Sequence, residues 1–351
     1  MRPDPDHLRR ILASGILAPS AENKHYLRFQ VRDDCARLLT TDRASWVEQP
    51  HRQMLALLSY GAVVENLALR SAQLGYALAV TWLPEPGRPD LVADFRWVTT
   101  AAPADPLCHS IGGRHTNRRF YRRASLPAEM LARLSAAAAA VPGAKLLWLD
   151  DAVTRALALK AIRVAETERF RRRALHDEMF GAIRFEKGWH QTADEWLPPA
   201  ALQVEPPMRL PFALMRHWSV MRAANWVGAH VLLGLRAGYL PCALAPHIGL
   251  ILASGQREDL GNLQAGRALQ RVWLSATAEG LAMQPMAAVT ALIRQRPGSG
   301  WVSSGVKARL QQLVQELCGG HDAPPYLLFR LGQAAAPSAV TERRTLDHYV
   351  E

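Results

Sequence analysis

The sequence predicts a layered α/β fold of the α+β type, built from two similar runs of helices and strands. Helical and strand patterns alternate along the 351 residues. Hydrophobic residues make up 49% of the chain, which is enough for a substantial core. The order of helix, strand and helix occurs twice, with a boundary near residues 103–113, so we expect two related halves packed together.

The first run has clear helix and strand signals. Its predicted elements are helices at 6–17 and 53–74, a loop at 20–24, and strands at 27–31, 77–83 and 93–98. Pro19 cannot continue the first helix, and Gly75 stands where a C-terminal cap is expected after the second. Residues 93–98 place Phe95 and Trp97 in alternation with polar side chains, the period of a half-buried strand.

The second run repeats this pattern and contains an additional segment. Its predicted elements are helices at 127–140, 152–173 and 263–278, and strands at 145–149, 248–253 and 326–331. Between them, residues 188–225 combine prolines with tryptophans and leucines and are interpreted as an ordered, lid-like segment. We therefore expect a first half at 1–105 and a second half at 106–351 that includes the lid.

Composition excludes some classes of protein. The longest apolar region, 226–253, is interrupted by charged residues and prolines, so it lacks the roughly 20 apolar residues of a membrane span. The N-terminus has no apolar stretch typical of a signal peptide, and we expect a cytoplasmic protein. The four cysteines are scattered without metal-binding spacing, so neither a metal site nor a disulfide framework is predicted.

The chain is strongly basic, with a formal net charge of +11 and a pI near 10. This charge suits an anionic partner, whether nucleic acid, an acidic membrane surface or a phosphorylated small molecule. The basic run at 169–173 would suit nucleic acid, but no further basic motif interleaved with aromatic residues accompanies it. A charged helix face explains it better, so we expect no nucleic-acid partner.

A short loop at 114–120 concentrates groups that bind phosphate. It combines Arg114, His115, Thr116 and Arg118 just ahead of a predicted helix. Guanidinium groups form bidentate, charge-assisted hydrogen bonds with phosphate oxygens, and a hydroxyl adds a neutral donor. Phe120 is expected to anchor the loop. On spacing alone, a solvated basic turn is the favoured interpretation in so basic a chain.

The sequence Arg-His-Thr-Asn-Arg-Arg-Phe at 114–120 resembles the phosphate-binding signature of the nitroreductase family of FMN flavoproteins. The resemblance implies that the loop's Arg114, His115, Thr116 and Arg118 hold the FMN phosphate. Residues 18–25 resemble a second family motif, whose serine and asparagine approach the flavin ring. These two residues correspond to Ser20 and Asn23.

Further similarities lie downstream. The family's long core helix and the proline-containing turn after it resemble 265–288, which implies that Pro285, Met286 and Ala287 lie near flavin N5. The closing strand and tail resemble 330–344, where a basic residue returns to the phosphate. Arg344 is the better match and Arg343 the second.

The order of the motifs resembles the fused, double-length branch of this family. In the usual homodimer, the phosphate site and the serine–asparagine segment come from different subunits. Here Ser20 and Asn23 lie in the first half and the phosphate loop lies in the second, with no second copy of either motif. The resemblance implies one FMN per chain in a pseudo-dimer that is monomeric, with a dimer as the alternative.

The resemblance implies an FMN-dependent oxidoreductase of nitroreductase type. NAD(P)H would deliver hydride to flavin N5, and a small-molecule electron acceptor would follow it in the same pocket. No catalytic side chain is required, because the cofactor carries the chemistry. The alternative is a protein that stores or sequesters flavin without efficient turnover, closed by the lid-like segment.

Overall fold

The computed structural model describes residues 3–33, 35–296 and 299–351, and these residues contain two separate four-stranded sheets. The strands are β1 (Leu27–Val31), β2 (Ala36–Thr40), β3 (Tyr76–Trp82), β4 (Leu91–Thr99), β5 (Ala144–Trp148), β6 (His247–Ala253), β7 (Ala282–Met286) and β8 (Pro325–Gly332). The order is β1-β2-β4-β3 in the first sheet and β5-β6-β8-β7 in the second. The two halves therefore share one strand order, and all neighbouring strands are antiparallel.

Helices flank both sheets and fill the segment between them. They are α1 (Pro5–Ile16), α2 (Ser45–Glu48), α3 (Pro50–Gln73), α4 (Ala128–Ala139), α5 (Ala152–Arg171), α6 (Arg173–Gly181), α7 (Arg209–Leu214), α8 (Trp218–Trp226), α9 (Ala229–Gly234), α10 (Leu240–Leu244), α11 (Glu258–Ala278), α12 (Ala288–Arg294) and α13 (Ser304–Cys318). The predicted α+β class is confirmed, and both of its sheets are antiparallel and flanked by helices. Strands β2 and β7 and helix α13 were not expected from the sequence.

The two long helices α3 and α11 pack against each other at the centre through two glycines. A Cβ atom on Gly61 would lie 2.0 Å from the Leu263 carbonyl oxygen, and one on Gly266 would lie 2.0 Å from the Leu58 carbonyl oxygen. Each helix thus presents a glycine to the backbone of the other. Beside this crossing, the Gln270 side-chain amide donates to the Asn66 side-chain oxygen at 2.7 Å.

Replacing either glycine by alanine will destabilise the protein. Alanine normally favours a helix over glycine by about 1 kcal/mol, but at Gly61 or Gly266 the methyl group would overlap backbone atoms and force the helices apart. We expect the free energy of unfolding in urea to fall by about 2 kcal/mol or more. Gly305→Ala in α13 is the matched control, because its methyl group meets open space. Equal stability of all three variants would contradict this packing.

The C-terminal tail crosses back to the first half. The Phe29 amide donates to the Tyr349 carbonyl at 2.7 Å, and the Glu351 amide donates to the Phe29 carbonyl at 2.9 Å. Leu346 and Tyr349 are buried in the hydrophobic core of the first half. The tail must therefore pass the junction of the two halves before it reaches β1.

The lid-like segment is ordered and shares a small core with the residues that precede it. Its Met221 is buried together with Phe170, Phe180 and Ile183, and Trp218 packs against them. The chain in this region forms short helical turns and the helices α7 to α10. In the described residues, no single helix is long and apolar enough to cross a bilayer. A helix pair, α8 with residues 229–244, has the required length and composition but is bent by 101°.

Candidate functional site

A cavity of about 140 Å³ lies where the two halves, the lid-like segment and the tail meet. Four stretches of chain line it, namely 17–23 after α1, 111–118, the lid residues Leu197 and Ala201, and the tail at 339–343. Residues from both halves therefore face one space. Seven of the residues predicted to bind the cofactor line this cavity. Two belong to the first half, Ser20 and Asn23, and five to the second half and its tail, Arg114, His115, Thr116, Arg118 and Arg343.

Three arginines bring positive charge to this cavity without a carboxylate partner among the described residues. Arg114 lies over the indole ring of Trp273 in α11, at 4.5 Å, and donates to the Leu17 carbonyl at 3.1 Å. Arg118 donates to the Ala201 carbonyl at 3.2 Å. Their remaining N–H groups are free to meet a ligand.

The third arginine, Arg343, ties the tail to the end of α1. Its guanidinium donates to the carbonyls of Ile16 at 3.0 Å and Ala18 at 2.7 Å, and to the Asn23 side-chain oxygen. All these acceptors are neutral. The guanidinium of Arg343 therefore keeps its full positive charge at the cavity, because none of its hydrogen-bond acceptors is a carboxylate.

Burial shifts the pKa of all three arginines downwards. Desolvation, together with the charge of Arg343, lowers the pKa of Arg114 to about 9. Desolvation lowers the pKa of Arg118 and of Arg343 to about 10. A shift in this direction means that the surroundings disfavour the cationic form. An anion bound in the cavity would remove this cost, because it supplies the missing opposite charge.

The loop at 114–121 packs against strand β8, which is supported in turn by β7. Arg330, fully buried in β8, donates to the Arg119 carbonyl at 2.8 Å and to the Gln284 side-chain oxygen at 2.8 Å. Its guanidinium lies 3.9 Å from the ring centre of Tyr121, whose hydroxyl donates to the Asn117 carbonyl at 2.7 Å. These contacts with β7 and β8 fix the position of the loop.

Phe120 was predicted to anchor this loop, and that prediction is wrong. Phe120 is 43% exposed and lies beneath the guanidinium of Arg236 at 4.7 Å. The buried anchor is its neighbour Tyr121, at 4%. The two aromatic residues are adjacent in sequence. Tyr121 faces inward because its ring packs against Arg330 of β8.

Ser20 and Asn23 enter the site from a strained turn after α1. Glu22 and Asn23 have φ angles of 55° and 61°, a left-handed conformation that asparagine tolerates better than most residues. The Asn23 amide donates to the Trp196 and Glu342 carbonyls, both at 3.2 Å, so it fastens the lid and the tail together. The Ser20 hydroxyl is buried with no partner in the described structure and is free to donate.

Four predicted cofactor residues do not line the cavity. Pro285 lies in β7 opposite Phe329, and Met286 is buried in the core of the second half. Ala287 directly follows them at the start of α12. Arg344 pairs with Glu195 on the outside of the tail. The arginine that reaches the cavity is therefore Arg343, the second of the two candidates.

Glu22 lines the cavity and was not among the predicted residues. Desolvation raises the pKa of its carboxyl to about 7, and the nearby charge of Glu178 adds to the shift, while Arg169 and Arg52 oppose it. The only sequence signal is its position between Ser20 and Asn23. A carboxyl that keeps its proton near neutral pH repels an anionic ligand less than a carboxylate does.

Glu22→Gln will remove a pH-dependent loss of stability. A carboxyl whose folded pKa exceeds its unfolded value contributes stability below the unfolded pKa near 4.5, and this contribution is lost as the pH rises through about 7. The difference in unfolding free energy between variant and wild type should shift in favour of the variant by on the order of 3 kcal/mol from pH 4.5 to pH 8. Urea unfolding at both pH values measures it, with the exposed Glu129→Gln as the charge control. A pH-independent difference would contradict the burial of Glu22.

Fold and cavity define a two-sheet α+β protein with a preformed, uncompensated basic site at the junction of its halves. The nitroreductase family model matches residues 111–296, that is 186 of 351 residues. The chain belongs to the nitroreductase family. No curated protein matches the sequence.

Several solved structures are similar to this chain at low identity. The FMN-dependent nitroreductase NfnB from Mycobacterium smegmatis, in complex with NADPH, is 17% identical with a TM-score of 0.38, covering 67% of this chain and 92% of that chain. A nitroreductase with bound FMN from Desulfitobacterium hafniense is 12% identical with a TM-score of 0.38, covering 69% and 96%. One with bound FMN from Bacteroides fragilis is 14% identical with a TM-score of 0.34, covering 69% and 95%. Family membership rests on the match over 111–296.

Proposed function

We propose that the chain binds one FMN in this cavity and acts as an FMN-dependent oxidoreductase. The observation that carries the proposal is the convergence of Arg114, Arg118 and Arg343 on one cavity without a carboxylate partner among the described residues. A phosphate monoester is the anionic group that such donors bind best, because several guanidinium N–H groups can reach its three oxygens. Membership of the nitroreductase family supports FMN as the phosphorylated ligand.

Unsatisfied donors in the cavity fit a phosphate. Arg114 Nε and Ser20 Oγ are both buried without a hydrogen-bond partner in the described structure. Buried donors that lack acceptors are costly, and an oxyanion would satisfy them. Thr116 supplies a neutral hydroxyl at the same wall, and His115 is exposed beside it.

The cavity is too small to hold a whole FMN molecule without some movement of the protein. At about 140 Å³ it is smaller than the roughly 300 Å³ at which pockets for small-molecule ligands begin. The phosphate end can be accommodated as the structure stands, whereas an isoalloxazine ring requires the lid or the tail to move outward. Leu197 and Ala201 of the lid and Val340 of the tail line the cavity, so they are the residues that such a movement would displace.

When bound, FMN would supply two-electron hydride chemistry, with NAD(P)H as donor and a small-molecule electron acceptor. The protein's part is positioning. Arg114, Arg118 and Arg343 hold the phosphate end, Asn23 fixes the segments that exclude water, and Glu22 limits repulsion by keeping its proton. No side chain is assigned a chemical step.

We further propose that the halves, 1–105 and 106–351, are fused equivalents of two subunits and that the chain works as a monomer. The shared strand order of the two sheets and the reciprocal contacts of Gly61 and Gly266 support this pseudo-dimer. The phosphate loop at 114–118 occurs once in the sequence. One FMN per chain is therefore expected, with no second site in the first half.

Storage or sequestration of flavin is the second candidate. It is favoured by the closure of the cavity, where Asn23 bonds to both the lid and the tail. Steady-state oxidation of NADH and NADPH by the FMN-loaded protein, with quinone and nitroaromatic acceptors, separates the two functions. Turnover supports the oxidoreductase, and stoichiometric FMN without turnover supports storage.

A further inference from the structure

The second part of the lid-like segment and the helices that follow it carry an unusual share of the exposed apolar side chains. Fourteen large apolar side chains are exposed in the described residues, and eight of them lie within 208–240. These eight are Met208, Leu210, Leu214, Val220, Trp226, Val227, Leu232 and Leu240. We refer to them as the 208–240 surface. Concentration in 33 residues sets this surface apart from singly exposed apolar residues elsewhere.

The most exposed residues of this surface lie at a sharp bend. Helix α8 ends at Trp226, and Gly228, with a φ angle of 85°, turns the chain into α9. The helices before and after the turn are bent by 101° relative to each other. Trp226 and Val227 at this bend are 89% and 85% exposed. Trp226 therefore makes little contact with the rest of the protein, so packing within the fold does not account for a tryptophan at this position.

The charged residues within this stretch of sequence have a single sign. No aspartate or glutamate occurs at 206–257, and the part of this stretch at 208–240 contains four arginines. Arg216 and Arg222 are exposed, Arg209 is half-buried, and Arg236 pairs with Glu205. A surface that combines apolar side chains with positive charge, without acids, is complementary to an anionic lipid layer.

We propose that the 208–240 surface docks on an anionic lipid bilayer, with Trp226 and Val227 at the boundary between headgroups and acyl chains. Tryptophan favours this depth because its ring is apolar and its N–H is polar. Arg216 and Arg222 contact lipid phosphates. Helix α8 has nine residues and is far too short to span the roughly 30 Å core, so the chain lies on the membrane without crossing it.

Cosedimentation with lipid vesicles tests the proposal on the full chain. Vesicles of phosphatidylglycerol and phosphatidylcholine in equal parts should bind the protein, and vesicles of phosphatidylcholine alone should bind it at least tenfold less. Binding to the anionic vesicles should weaken at 0.5 M salt, because screening shortens the reach of the arginines.

Matched variants locate the contact. Trp226→Ser with Val227→Ser should weaken binding to anionic vesicles at least tenfold, and Arg216→Gln with Arg222→Gln should do the same. Val47→Ser with Val153→Ser is the control, because both valines are exposed, at 59% and 69%, outside this surface. Unchanged binding by the first pair would overturn the proposal. So would no binding to anionic vesicles, or self-association of the wild type that the first pair abolishes.

Discussion

Replacement of Arg114 and Arg118 together by alanine is expected to abolish FMN retention while the protein stays folded. Each arginine would contribute charge-assisted hydrogen bonds to phosphate, worth about 1.5 to 3 kcal/mol each. The dissociation constant for FMN should therefore rise by about a hundredfold or more, at about 1.4 kcal/mol per factor of ten. Titration of the apoprotein with FMN, followed by flavin fluorescence, measures the change.

The same double variant is also expected to be no less stable to urea than the wild type when flavin is absent. Burial depresses the pKa of both arginines, to about 9 and about 10, so their charges cost free energy in the absence of an anion. The variant without flavin should therefore unfold no earlier in urea than the wild type without flavin. Arg163→Ala with Arg309→Ala removes the same charge from exposed positions and should leave FMN binding unchanged. Stoichiometric FMN in the Arg114 and Arg118 variant would refute the phosphate site.

Replacement of Asn23 by glycine is expected to open the cavity. The side-chain amide of Asn23 holds the lid at Trp196 and the tail at Glu342, and its oxygen accepts from Arg343. Glycine adopts the φ angle of 61° without strain, so the variant isolates the loss of these hydrogen bonds. At about 1 kcal/mol for each bond, the rate of FMN dissociation should rise by roughly ten- to a hundredfold.

Stopped-flow fluorescence of FMN release measures this rate, and NAD(P)H oxidation by the same sample shows whether a looser cover speeds turnover. Leu83→Gly is the control, because Leu83 also has a positive φ angle, 47°, but does not line the cavity. An unchanged rate of FMN release in the Asn23 variant would show that the lid and the tail do not confine the ligand.

Sequence patterns predicted most of the sheets, and the misses have physical reasons. Strand β2 buries Ala36, Leu38 and Thr40, which lie on one face of the strand. The alternation of apolar and polar residues that would predict this strand is obscured in the sequence, because Leu39, next to Leu38, places a leucine on the other face as well. Helix α13 has both terminal signals of a helix, a serine cap at Ser303 and Gly319 in a left-handed conformation.

The cavity was predicted in composition but not in geometry. The sequence indicated the arginine loop and the turn at Ser20 and Asn23, because both resemble short family motifs. It favoured Arg344, whereas Arg343 is the residue that lines the cavity. The difference depends on the path of the tail, which is fixed by pairing with Phe29 in β1. Closure by Leu197 and Ala201 likewise depends on tertiary contacts of the lid.

The central claim is that one phosphate site per chain holds FMN, and calorimetric titration of the apoprotein with FMN and with riboflavin tests it most directly. Riboflavin lacks the phosphate, so the comparison isolates the contribution of Arg114, Arg118 and Arg343. We predict one FMN per chain, bound at least about a hundredfold more tightly than riboflavin, as two charge-assisted hydrogen bonds imply. Equal affinities for the two flavins, or two FMN molecules per chain, would contradict this account.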